Sequence, residues 1–358
     1  MKTKRLPTLL SAAIMMLSLC SCGKLNVSAE DKVVPVEGQI TFSSDRGGCQ
    51  FLLKNGNMER LTIEGGAGRF SADGKKIYFR KGFELYIYNL DTSITDSLGG
   101  LNKYKPFEFD LSPDNKKVVF VSFGLKFDYD IPQNVFTMNL DGTDYKQLTF
   151  FTGGPKGWNA AGAARPRWSP DGKMILFCGP NIINKSNGSD AIYSIKSDGT
   201  DLKKLIGTDG DFIFAREPTW SPDSKKIAFV ACLKNDKQGY EYTYTSDADG
   251  SNPKKEIAGY HYIFMANADG SDIKQVTKKQ HDDKTPAFSP DGKKICFASC
   301  RHYTKDKIPN PIGSELFVID IDGTNEIRLT SSYLAPEHNI ISPHLSKYPS
   351  DSDPDWHE

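Results

Sequence analysis

The chain has 358 residues, 38% of them apolar and 11% aromatic, and its 45 Lys and Arg balance 45 Asp and Glu. A neutral total speaks against nucleic-acid binding, because phosphate contacts leave a basic excess or a basic face. The length allows two or three domains or one large repeat array, and the aromatic share suits β-structure.

The N-terminal stretch reads as a leader. Lys2, Lys4 and Arg5 form a positive n-region, and Leu9 to Leu19 supply an apolar run too short for a stop-transfer span. It closes on Leu19-Cys20-Ser21-Cys22-Gly23, which resembles a bacterial lipobox with Cys22 as the acylated residue. Cys20 fits less well as acceptor, since Leu19 would then stand where a small residue is wanted. Residues 1–21 are thus expected to be a signal peptide, and 22–37 the lipidated cysteine and a tether. Gly23 is not the Asp that holds many such lipoproteins at the inner membrane, so the resemblance implies an outer-membrane lipoprotein of the cell envelope. Cys49, Cys178, Cys232, Cys296 and Cys300 form no metal-spaced pair and read as buried thiols serving as small hydrophobes.

From residue 38 onward a short signature recurs. It stands as Pro166-Arg167-Trp168-Ser169-Pro170-Asp171-Gly172, Pro218-Thr219-Trp220-Ser221-Pro222-Asp223 and Pro286-Ala287-Phe288-Ser289-Pro290-Asp291-Gly292. Weaker copies are Gly68-Arg69-Phe70-Ser71-Ala72-Asp73-Gly74 and Phe109-Asp110-Leu111-Ser112-Pro113-Asp114. Each leads into an alternating strand carrying Ile77/Phe79, Val118/Phe120, Ile175/Phe177, Ile227/Phe229 or Ile295/Phe297, and the period of two puts each pair on one face. A second strand, an Asp-Gly turn and a short closing strand follow, the last expected at Leu148-Thr149, Leu205-Ile206, Val276-Thr277 and Leu329-Thr330. Four strands joined by tight turns and repeated describe propeller blades, which bury their faces only by stacking on one another. The Trp or Phe of each signature is then the wedge between blades.

The ends predict how the ring closes. Gln39-Ile40-Thr41-Phe42 matches a second strand with no first strand before it, and Pro354-Asp355-Trp356 matches a first strand with nothing after it. Together they complete one hybrid blade, so the fold class expected is an all-β six-bladed propeller over 38–358. Two Asp-Gly turns fall in the fifth unit, at Asp249-Gly250 and Asp269-Gly270, and Tyr240 to Ile257 is read as an inserted hairpin.

The signature resembles the PD40 repeat of the TolB family of propellers over residues 38–358. Members of that family carry an α/β domain ahead of the propeller, where this sequence has the tether, so the resemblance transfers fold more than role. It implies a non-enzymatic module that binds an envelope protein or peptide, with a membrane contact through its lipid, no nucleic acid and no cofactor.

In such a fold the Ser-Pro-Asp and Asp-Gly turns share one uniform rim. The variable connections at 123–133, 150–165, 180–190, 207–217, 301–313 and 331–353 share the other, where binding is expected. Arg165 and Arg216 stand just ahead of two neighbouring first strands, in matching places, and suit a carboxylate or an acidic loop. The plainer reading is that each pairs with a neighbouring acid. Trp158 is a candidate contact aromatic for a peptide or sugar. His281, His302, His338 and His344 fall on the same rim, and the alternative is a glycan binder or a metal-dependent lyase, as in propeller pectate-fragment lyases with a His-bound ion. Their spacing carries no HExxH-type signature, so solvated loop histidines are the simpler reading. G-x-S-x-G, P-loop and dinucleotide motifs do not occur, which leaves no enzyme signature in the sequence.

Overall fold

Six four-stranded antiparallel sheets stand around a central channel, each running from an inner first strand to an outer fourth. The computed structural model describes residues 38–44, 49–54, 57–124, 131–152, 162–180, 191–208, 210–236, 242–245, 254–257, 259–299, 315–330 and 351–357. The first blade holds β1 (Gln39–Ser44), β2 (Cys49–Lys54) and β3 (Asn57–Glu64). The second holds β4 (Gly66–Phe70), β5 (Lys76–Lys81), β6 (Glu84–Asn89) and β7 (Thr95–Ser97). The third is β8 (Glu108–Leu111), β9 (Lys117–Ser122), β10 (Asn134–Asn139) and β11 (Lys146–Gln147). The fourth is β12 (Ala164–Trp168), β13 (Met174–Gly179), β14 (Ala191–Lys196) and β15 (Lys203–Ile206).

In the fifth blade β16 (Phe212–Trp220) and β17 (Lys226–Leu233) are followed by a separate hairpin, β18 (Tyr242–Thr245) with β19 (Lys254–Ile257). The blade then resumes with β20 (His261–Asn267) and β21 (Lys274–Gln275), so the hairpin is an insertion between second and third strands. The sixth blade is β22 (Asp283–Phe288), β23 (Lys294–Ser299), β24 (Glu315–Asp320) and β25 (Ile327–Arg328). The last strand, β26 (Asp351–His357), pairs with β1 through Gln39↔His357 and Ile40↔Trp356 and supplies the inner strand of the first blade. The hybrid blade expected from the two ends is therefore present.

Repetition extends to individual side chains. Phe42, Phe79, Phe120, Phe177, Phe229 and Phe297 occupy one place on the second strand of each blade, and all are buried. Most face an aromatic directly across the ladder. Phe79 stacks on Tyr86, Phe120 on Phe136, Phe177 on Tyr193, Phe229 on Phe264 and Phe297 on Phe317, at centroid distances of 5.5 to 5.9 Å. Such cross-strand pairs add to area burial through their ring geometry. The signature aromatics lie on the same side and share a cluster with residues of the preceding blade: Trp168 with Val119 and Val121, Trp220 with Leu176 and Ile192, Phe288 with Val230 and Ile263, and Trp356 with Ala298 and Leu316.

The closing strands depart from expectation by a small offset. In the third, fifth and sixth blades the ladder is made by Lys146-Gln147, Lys274-Gln275 and Ile327-Arg328, two residues earlier than the Leu-Thr or Val-Thr pairs. Those pairs serve as anchors. Leu148, Val276 and Leu329 are buried. The Thr hydroxyls behind them accept the next ladder N–H, from Val135 to Thr149, Ile263 to Thr277 and Leu316 to Thr330, each at 2.9 Å. A side-chain oxygen replaces a backbone carbonyl there, which lets the chain leave the sheet without stranding a buried donor.

The uniform rim is built from one device. Ser169 Oγ donates to Asp171 Oδ1 at 2.7 Å and accepts Met174 N–H at 2.9 Å, while Lys173 N–H reaches the same carboxylate oxygen. Ser71–Asp73, Ser112–Asp114, Ser221–Asp223 and Ser289–Asp291 repeat the serine-to-carboxylate bond. Gly172 sits at φ +74 in this turn, and Asn115 and Ser224 adopt the same left-handed region in its place. The serine bond, helped by the backbone donors, holds Asp73, Asp114, Asp223 and Asp291 below the usual aspartate value of 3.8, and Asp171 likewise. A lowered native value stabilises the fold fully above the unfolded value, and that share is lost as pH falls through the native one. The destabilisation caused by Ser169→Ala is thus expected to be constant at neutral pH and to shrink below about pH 4, which urea unfolding at several pH values measures. A difference independent of pH would place the serine's role in packing alone.

Candidate functional site in the central channel

The inner strands converge on a cavity of about 160 Å³. Its wall is set by the signature itself. Between the proline (or its equivalent) and the wedge aromatic each blade has one residue: Arg69, Asp110, Arg167, Thr219, Ala287 and Asp355, all lining the cavity. Four charged residues of alternating sign therefore follow one another around half the channel, from the first blade to the fourth.

A bulge interrupts most inner strands just ahead of this position. The register shifts between Gly66 and Arg69, Ala164 and Arg167, Arg216 and Thr219, and Lys284 and Ala287. Arg165, Glu217 and Thr285 are the inserted residues, at φ +53, +55 and +50, each immediately before a proline. Side-chain-bearing residues pay a steric penalty in that region, and a β-branched threonine more than most, so the surroundings must hold them.

The hold comes from carboxylates of neighbouring blades. Glu108 accepts the Arg165 N–H, and Glu217 accepts the Thr285 N–H at 2.6 Å. One step deeper, Asp110 accepts the Trp168 N–H at 2.7 Å and Asp355 the Phe70 N–H at 2.8 Å. Each bond runs from one blade to the next and satisfies an inner-edge donor that no further strand pairs. Charge-assisted bonds of this kind are about twice as strong as neutral ones.

The arginines divide by this geometry. Arg165 bridges blades, with Nε 3.2 Å from Glu108 and Nη2 3.5 Å from Glu217. Arg216 does not hold the matching place that the sequence suggested. The bulge aligns Arg165 with Glu217, and Arg216 with Ala164, one residue earlier. It is exposed and lays its guanidinium 4.2 Å over the Phe214 ring. The offset is also visible from the signature prolines, since Arg165 directly precedes Pro166 whereas Glu217 stands between Arg216 and Pro218. Arg165→Ala is accordingly expected to lower stability by about 1 kcal/mol through its inter-blade pairs, and Arg216→Ala by less than about 0.5 kcal/mol. Thermal melts of the two single variants compare them, and equal effects would remove the distinction.

Sequence reasoning passed over Arg69 and Arg167. The signal was present, because both stand between the recurring proline or glycine and the wedge aromatic, at a place where other copies carry Asp, Thr or Ala. Arg69 is 6% exposed, its Nη1 donating to Gly68 O at 2.9 Å and its Nε standing 3.9 Å from Asp110. Arg167 donates from Nη1 to Pro166 O at 2.9 Å. Burial, then the charge of Arg69, push Arg167 down to about 10, so it still carries its charge at neutral pH. Burial raises the Asp110 carboxyl against the opposing pull of Arg167 and Arg69.

Of the remaining candidates, His281 lies on the variable rim with its N–H on Lys279 O. Trp158, His302, His338, His344 and Cys22 lie outside the described residues. Among the described residues no group of three or more His, Cys, Asp or Glu is placed to hold a metal ion, and no helix is long and apolar enough to cross a membrane. Cys178, Cys232 and Cys296 are buried on second strands, and burial pushes Cys178 up to about 12.

Blade number, strand order and closure define a six-bladed β-propeller of TolB-like fold. The chain is similar to TolB from Acinetobacter baumannii, with a TM-score of 0.58 and 17% identity over 90% of this chain and 67% of that one. It is also similar to a putative TolB from Agrobacterium tumefaciens, with a TM-score of 0.54 and 20% identity over 82% of this chain and 88% of that one. An oligogalacturonate lyase in complex with manganese superposes with a TM-score of 0.54 and 14% identity, over 87% of this chain and 78% of that one. At these identities the likeness is one of fold. In sequence, the chain is 27% identical over 169 residues to the uncharacterized peptidase YuxL of Bacillus subtilis, a match on 43% of this chain. It spans 25% of that protein's length. No family model matches the chain.

Proposed function

We propose that this protein is a lipid-anchored binding module of the bacterial cell envelope, which offers its variable rim and channel mouth to a protein or peptide without catalysing a reaction. The observation that carries the reading is the asymmetry of the two rims. One rim repeats a single Ser-x-Asp turn in blade after blade, bonded to itself. At the other, the ends of β9, β13, β17 and β23 give onto long and unequal connections, above charged inner strands held in a strained backbone. Variable loops over a rigid ring are how scaffolds of this kind diversify binding. The likeness to TolB structures supports a binding role, and the leader sequence ending in Cys22 supports the anchor at the outer membrane.

Two measurements test it. Cys22→Ser is expected to release the protein from the membrane fraction and abolish labelling by a fatty-acid analogue, whereas Cys20→Ser keeps both. Label retained on the Cys22 variant would overturn the anchor. For the partner, affinity capture from detergent-solubilised envelope is expected to retrieve a protein that a peptide contacting Arg165 or Trp158 displaces. Stoichiometric manganese in the purified protein, lost on substitution of His338 and His344, would instead assign a metal-dependent lyase using the rim histidines.

A further inference from the structure

We infer that the protein stands on its membrane with the uniform rim against the lipid headgroups, so that the variable rim and the channel mouth on that side face the aqueous compartment. The inference rests on the anchor at Cys22 and adds the direction of approach: the partner arrives from the aqueous side and is not a neighbour embedded in the same leaflet.

The place where the chain enters the ring decides the geometry. Gln39 opens β1, the second strand of its blade, and pairs with His357 at the end of β26. His357 marks the level of that end. Its Nε2 stands 3.2 Å from Ala72 O, in the Ser-x-Asp turn of the second blade, and a Cβ on Gly74 of the same turn would meet the His357 ring at 2.8 Å. Gly38, at φ +91, lies so close to the His357 carbonyl that a Cβ has no room. The entry is therefore on the uniform rim, one strand out from the channel. Pairing on both sides, with β26 and with β2, fixes β1 there.

Reach then separates the two rims. The sixteen residues 22–37 join the acylated cysteine to this point. Pulled straight, sixteen residues span about 55 Å, and a chain of that length not held straight spans about 20–25 Å. To bring the variable rim to the lipid, the segment would have to pass about 10 Å outward over β2 and β3 and climb a blade about 20 Å tall, before the rim loops are added. That path uses more than half of the greatest reach and holds the residues in one extended course, at a cost in conformational entropy. Standing on the uniform rim requires no such course.

The chemistry of that rim suits a headgroup layer. Its turns are short and alike, so they form a level surface. In each Ser-x-Asp turn the exposed aspartate is followed two residues on by an exposed lysine, as in Asp171 and Lys173, 3.2 Å apart, and Asp291 and Lys293, 3.5 Å apart. The next lysines also find acids, Lys117 with Asp144 and Lys294 with Asp320. Paired signs leave little field beyond a Debye length, so a zwitterionic phospholipid surface meets no repulsion.

Energy transfer from a dye on the full-length acylated protein to labelled lipid in phosphatidylcholine vesicles reads the orientation. The dye is carried by an unnatural amino acid, which leaves the native thiols alone, at Lys116 on the uniform rim or at Phe150 on the variable rim. Both positions are exposed, and matching melting temperatures check that the labelled chains fold alike. Transfer severalfold faster from position 116 is expected. Equal transfer, or faster transfer from position 150, in protein that floats with the vesicles would overturn the orientation and leave the anchor standing. Protein that fails to float would overturn the anchor, and the orientation with it. Inserting about forty Gly-Ser residues after Glu37 roughly doubles the reach and is expected to bring the two rates together. A difference unmoved by that insertion would overturn reach as its cause.

Discussion

Truncation before residue 351 is expected to leave a chain that no longer melts cooperatively, with most of the protein aggregating on expression. The missing segment is the inner strand of the first blade. Without it β1 loses its partner from Gln39 to Ser44, and Ile40 and Phe42, 1% and 0% exposed, lose part of their cover. The Phe70 N–H loses the Asp355 carboxylate, and the Trp356 wedge against the sixth blade is gone. Removing a fully buried large aromatic costs about 3–5 kcal/mol and the half-buried Trp356 a part of that, added to the lost strand pairing, against a net stability of about 5–15 kcal/mol for a domain. The loss also bares the edge of β1, which invites association. Trp356→Phe is the control, expected to cost under about 1.5 kcal/mol, because Phe70 and Phe288 fill the same place in other blades. Calorimetry of both variants checks the claim. An unchanged melting temperature in the truncated chain would mean that closure contributes nothing.

Phe229→Ala is expected to destabilise by about 3–5 kcal/mol, at the upper end of single-residue effects. Phe229 is fully buried, stacks on Phe264 at 5.8 Å and meets Phe212 edge-on at 6.0 Å. Alanine leaves a void that backbone on both sides is too well paired to close. Phe177→Ala should behave alike, since it holds the same place in the preceding blade and stacks on Tyr193. Phe150, 75% exposed, provides the contrast, and its alanine variant is expected within about 0.5 kcal/mol of the parent. Urea unfolding of the three variants ranks them. A Phe229 variant as stable as the Phe150 variant would refute the aromatic pair as a core element.

What the sequence disclosed and what it hid follow a physical line. Phe120, Phe177, Phe229 and Phe297 repeat at one place in an alternating strand, and alternation is dictated by burial, so the blades and their stacking could be read directly. The hybrid blade and the inserted hairpin emerged from the same pattern, as excess or missing copies of a known unit. The channel was harder. Its register depends on a single inserted residue at Arg165, Glu217 and Thr285, which shifts the alternation by one place, and in these short strands with few apolar residues ahead of the proline that slip is easily missed. Arg216 stands two residues before Pro218 and Arg165 one before Pro166, so counting back from the proline already separates them. Arg69 and Arg167 were in plain view between Gly68 or Pro166 and the wedge aromatic, but their convergence on one cavity requires the ring. The offset of the closing strands was hidden for a related reason. Thr149, Thr277 and Thr330 look like strand residues, and only the hydroxyl's bond to the neighbouring ladder reveals that they end it.

Closure by the two ends also sets an order in time. The bond between Phe70 and Asp355 joins residues 285 apart in the chain, and the β1–β26 pairing spans even more. Contacts of such separation form late, since the entropy of closing the loop is lost before any pairing repays it. A ribosome that has made five blades has made an open crescent, whose first blade lacks its inner strand and whose channel has a gap in its wall. Residues 351–357 turn the crescent into a ring. The wall of the cavity is thus complete only once Asp351–His357 have been made and have docked on β1.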